Sequence, residues 1–70
     1  MNVSNDDRLR LDVLNEFSWD IGAAHLRKVE VSVKDGTVTL WGRVHYTDRF
    51  AAAEVARRVP GVRSVVEDWS

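Results

Sequence analysis

Seventy residues hold one domain at most, and a chain this short buries only about 60% of its unfolded surface, so its core must be economical. With 44% apolar residues, 30% charged residues and no cysteine, the composition excludes a disordered tail, a disulfide framework and a thiolate metal site. The net charge of −1 is unevenly spread, because residues 1–25 are acidic while Arg43, Arg49, Arg57, Arg58 and Arg63 make the second half basic. Such polarity bears on partners and solubility rather than on fold. Apolar runs such as Phe50-Ala51-Ala52-Ala53 fall far short of the ~20 residues that span a bilayer. The start, Met1-Asn2-Val3-Ser4-Asn5-Asp6-Asp7, carries neither the basic nor the apolar region of a signal peptide. The expected location is cytoplasmic if the chain is complete, and periplasmic or envelope-associated if it is a mature or excised domain.

In chain order, residues 1–5 are expected to be a flexible segment and 6–69 one domain. Asn5-Asp6-Asp7 offers helix caps ahead of Leu9, Val13, Leu14 and Phe17, a stripe at helical spacing. The spacing predicts a helix from about Asp6 to Trp19, with Leu11 off the stripe, Asp6, Asp7 and Asp12 suiting the positive end of the dipole, and a turn or short helical piece over Asp20–Leu26.

From Val29 the period drops to two. Val29, Val31 and Val33 take one face; Glu30, Ser32 and Lys34 take the other. Asp35-Gly36 is a strong hairpin signal, since a type I′ turn needs positive φ at both central residues. The return strand runs Thr37–Val44, with Val31, Val33, Val38 and Leu40 expected to be buried. Gly42, on the core parity, reads as a bulge or a place where a helix comes close. Thr47-Asp48 is the next cap candidate, and Ala52, Val55, Ala56 and Val59 form the stripe of a second helix that stops at Pro60-Gly61. A last strand over Val62–Trp69 turns Val65 and Trp69 inward and Val66 outward. The predicted fold is α+β, in the order α-β-β-α-β, with two helices on one face of a three-stranded mixed sheet. A right-handed crossover makes the second and third strands parallel; strand order stays open.

The stretch Val31-Ser32-Val33-Lys34-Asp35-Gly36-Thr37-Val38-Thr39-Leu40-Trp41-Gly42-Arg43-Val44 resembles the centre of the BON family: an alternating strand, an acidic-Gly turn and V-T-L-x-G-x-V. Arg49, Ala52, Ala56, Val59, Pro60-Gly61-Val62 and Val65 resemble its second half, and Asp7, Val13 and Leu14 its first helix. No one motif is specific, but their order and spacing are. Where the family often has Asn, two residues after the final Val, this chain has Glu67. The resemblance implies a non-catalytic module that attaches to phospholipid or to cell-envelope components, in settings that include osmotic and envelope stress. It implies no catalytic residue and no cofactor.

The residues read by themselves agree. His25 and His45 lie outside any metal-ligand spacing and suit surface or capping roles, no Ser sits in a nucleophile elbow, and no Gly-rich phosphate loop exists. Asp12 and Glu16 share a helix face with Arg8 four residues before Asp12, a solvated charged face. Arg57, Arg58 and Arg63 are the lipid-binding candidates, because guanidinium pairs well with phosphate oxygens; the plainer reading is that Arg near a helix C-terminus complements the dipole. Trp69 reads as core and Trp19 as core or boundary. Trp41 stands on the open sheet face, which with Arg43 and Val66 makes a candidate surface for an envelope protein or a second copy in a weak homo-oligomer. The alternative is partial shielding of Trp41 by Val66, Tyr46 or the chain ends. With a pI near 6.0 and no stacking platform, nucleic acid is not an expected partner. Asp35, Gly36, Gly42 and Gly61 are the expected structural positions.

Overall fold

The computed structural model describes residues 5–20 and 29–69, so the turn expected over 20–26 lies outside them apart from the end of the first helix. Helix α1 spans Asn5–Asp20, β1 Glu30–Lys34, β2 Thr37–Gly42, α2 Tyr46–Arg58 and β3 Ser64–Trp69. The order is the expected α-β-β-α-β. β1 and β2 pair antiparallel, with Val31 opposite Leu40 and Val33 opposite Val38. β2 and β3 pair parallel, with Val38 beside Val65 and Gly42 beside Trp69. The strand order, β1-β2-β3, puts β2 in the centre.

The turn forms as its residues require. Asp35 has φ 51° and Gly36 φ 80°, both in the region a type I′ hairpin demands. Below the sheet, Val13 and Phe17 of α1 and Ala52, Ala53, Val55 and Ala56 of α2 meet Val31, Val38 and Leu40, and all of them are buried. Val33, expected in the core, is only half-buried; it lies next to the turn, where the layer over the sheet ends. The alanines of α2 let its backbone approach the sheet closely, as small residues do at helix contacts.

Four boundaries differ from expectation. α1 begins at Asn5, inside the segment expected to be flexible. β2 stops at Gly42, whose φ of 128° turns the chain out of the extended region, so Gly42 ends the strand rather than bulging it. β3 begins at Ser64, after Val62 has donated to the Val59 carbonyl. α2 is capped by His45, not by Thr47 or Asp48: the His45 ring accepts from the Thr47 N–H, and its carbonyl accepts from the N–H groups of Asp48 and Arg49.

Candidate functional site

Helix α1 is anchored at the turn. The carboxylate of Asp6 accepts from the N–H of Asp35 at 3.0 Å and of Gly36 at 3.3 Å. This fixes the two ends of the domain. The turn, the first turn of α1 and the last turn of α2 lie at one end; the last turn of α1, the C-termini of β2 and β3 and the start of α2 lie at the other.

At the turn end stand the arginines expected to bind lipid. Arg57 and Arg58 occupy the last turn of α2, as the dipole favours. Arg57 is held by two carboxylates, Glu54 at 3.7 Å and Glu67 at 3.6 Å. Arg63 lies over the turn: its N–H donates to the Gly36 carbonyl at 2.8 Å, and its methylenes stand 2.8 Å from where a Cβ on Gly36 would be. The guanidinium of Arg57 thus reaches toward β3, while the stem of Arg63 packs on the hairpin. A shallow depression of about 380 Å³ next to Arg63 is lined by Asp6, Leu9, Asp35, Gly36 and Gly61. The Asp6 carboxylate in it is already engaged by the turn.

Glu67, the departure from the family pattern, is explained by its neighbours. On the inward parity of β3 it accepts from the Trp69 indole N–H at 3.1 Å and pairs with Arg57. Arg49 donates from Nε to the Val44 carbonyl at 2.8 Å and stands 5.8 Å from the Trp69 ring centroid. The series joins α2 to the edge strand β3, so Trp69 serves the packing of the domain.

The opposite end is aromatic. Trp19 is 78% exposed, Tyr46 75% and Phe50 69%. Trp19 is thus neither core nor boundary. The His45 ring stacks on Tyr46, with centroids 5.7 Å apart. The exposure of Tyr46 and Phe50 was not anticipated, although the signal was available: at 100° per residue both fall opposite the stripe of Ala52, Val55, Ala56 and Val59.

The sheet face away from the helices is open. Pairing puts nine outward residues in three rows: Glu30, Trp41 and Asp68; Ser32, Thr39 and Val66; Lys34, Thr37 and Ser64. Trp41 is 37% exposed and Val66 47% exposed. Arg43, just past the end of β2, is exposed, and the Thr37 and Ser64 hydroxyls are hydrogen-bonded at 3.1 Å. Trp41 and Val66 therefore lie on the open face, with Trp41 roughly two-thirds covered, whereas Arg43 lies beyond the last paired residue of β2.

Among the described residues no three His, Asp or Glu side chains converge as metal ligands, and no helix is long and apolar enough to cross a membrane. Asp35, Gly36 and Gly61 hold positive φ, as their turns require. No curated protein matches the chain. The BON domain model matches residues 5–68, nearly the whole chain. The protein therefore belongs to the BON domain family, a family of binding modules and not a known family of enzymes.

Proposed function

We propose that the domain is an attachment module that docks on anionic phospholipid surfaces of the cell envelope, in osmotic or envelope stress, with its aromatic end toward the lipid. The observation that carries this reading is the exposure of Trp19, Tyr46 and Phe50 at one end of the molecule. Packing of the fold gives these side chains no reason to be there. Indole and phenol rings favour the headgroup level, where an apolar body and a polar edge are both satisfied. Removing even half of their area from water, on the order of 250 Å², favours attachment by several kcal/mol. Arg43 stands exposed at the same end and supplies attraction to phosphate.

The basic cluster allows a second arrangement, with headgroups held by Arg57, Arg58 and Arg63 at the turn end; Arg58 and Arg63 are exposed. Co-sedimentation with phosphatidylglycerol-containing vesicles separates the two. The aromatic reading expects Trp19→Ala with Phe50→Ala to weaken binding at least tenfold while Arg57→Glu with Arg58→Glu changes it little. Binding lost only in the arginine variant would transfer the site to the turn end. Equal binding to neutral vesicles would remove the anionic preference, and no binding to either vesicle would remove lipid as the partner.

A further inference from the structure

We infer that the open sheet face is the self-association surface of this protein, and that two copies pack face to face with their strands antiparallel and β1 over β1. This goes beyond lipid attachment, which uses the aromatic end of the domain rather than the sheet face.

The argument starts from the grid. Its first row, nearest the aromatic end, is Glu30, Trp41 and Asp68; its last row, nearest the turn, is Lys34, Thr37 and Ser64. One row therefore holds two acids and a large indole, and the other holds a base and two small hydroxyl residues. No ion pair within the described residues engages Glu30, Lys34 or Asp68.

Two symmetric ways exist to lay such a face on itself. A two-fold axis along the strands exchanges β1 with β3. It would set Glu30 against Asp68 twice and Trp41 against Trp41, a double like-charge contact at a desolvating interface. A two-fold axis across the strands exchanges the first and last rows. It sets Glu30 against Lys34 twice, Asp68 against the Ser64 hydroxyl twice, and the Trp41 indole over the small Thr37–Ser64 pair. The middle row, Ser32, Thr39 and Val66, lies on the axis and meets itself. Charge and bulk are complementary in this second arrangement alone, and the surface is self-complementary as an isologous interface must be. Aligned sheets pack about 10 Å apart, within reach of a Lys–Glu pair from both sides.

The footprint also sets the strength. Three strands and three rows cover roughly 15 × 20 Å, about 300 Å² per copy and well under the ~800 Å² of a stable complex. The dimer is consequently weak, forming where the local concentration is high.

Sedimentation equilibrium up to millimolar protein tests this. Wild type is expected to show a concentration-dependent monomer–dimer equilibrium that weakens with salt. Lys34→Glu and Glu30→Lys should each weaken it at least tenfold, and the two together should restore it. Both sites are exposed strand positions, so thermal unfolding should show the variants folded. A wild type that stays monomeric throughout, or a double variant no better than the single ones, overturns the proposal. So does unchanged association in Trp41→Ala. Because these variants leave Trp19, Tyr46 and Phe50 intact, vesicle binding should not change; its loss in Lys34→Glu would instead assign the sheet face to lipid.

Discussion

Replacing Asp6 by Ala removes the carboxylate that joins the start of α1 to the hairpin, and its cost can be worked from the geometry. Two N–H groups lose their acceptor, that of Asp35 in an exposed bond and that of Gly36 in a part-buried one. Bonds to a charged acceptor contribute about 1.5–3 kcal/mol each when dry, but solvent screening at this site brings the pair to about 1–2 kcal/mol. Loss of a negative charge from the first turn of a helix adds about 0.3–1 kcal/mol. The total is about 1.3–3 kcal/mol. For a domain of 60–100 residues, at about 4–8 °C per kcal/mol, that lowers Tm by roughly 5–24 °C. Asp6→Asn keeps one acceptor and should lose about half as much. Thermal and urea unfolding measure the cost, and amide exchange at Asp35 and Gly36 reports the bonds directly. A loss in Asp6→Ala below about 0.3 kcal/mol, on a scale where a typical hydrogen bond contributes about 1, with unchanged exchange at both amides, would refute the clamp.

Two further substitutions probe the helix ends. Gly61→Ala forces an L side chain to φ 98° and drives its Cβ to 2.9 Å from Leu9 Cδ2, so a loss of about 1–3 kcal/mol is expected in urea unfolding; adding Leu9→Ala should relieve the clash, making the pair less than additive. His45→Ala removes the ring acceptor that caps Thr47 and should cost about 0.5–1.5 kcal/mol, whereas His45→Asp should hold or raise stability; equal melting of all three proteins would show the cap to be idle.

What was legible in the sequence was what repeats locally. The period of two over Val29–Lys34 and Thr37–Leu40, joined by Asp35-Gly36, fixed both the hairpin and its inward face, because one slipped residue would reverse every side chain. The same parity placed Trp41 and Val66 on the open face and Trp69 inward. Interactions between residues distant in the chain were not legible. Asp6 could be read as a charge on a helix dipole, but its bonds span 29 and 30 residues, and nothing local points to them. Glu67 read as a mere departure until β3 lay beside α2 and brought Arg57 and Trp69 to either side of its carboxylate. A capping role for His45 was readable, but Thr47 and Asp48 are the stronger capping types, and what local residue type does not show is that the chain leaving Gly42 enters the helix two residues sooner.

Trp19 and Trp41 show how the helical and strand periods differ in what they can reveal. On α1 the stripe of Leu9, Val13 and Phe17 leaves Trp19 roughly opposite the core, and its high exposure follows from that angle alone. On β2 the alternation puts Trp41 on the open face just as firmly, yet Trp41 keeps only 37% of its surface. The difference lies in the neighbours. A side chain on a helix facing water has only its own helix to lean on, whereas one on a central strand is flanked at about 5 Å on both sides, here by Glu30 of β1 and Asp68 of β3. Partial cover of Trp41 is therefore what a central strand gives any large outward residue. It does not by itself argue for or against a partner, and the case for association rests on how the charges of the whole face are arranged.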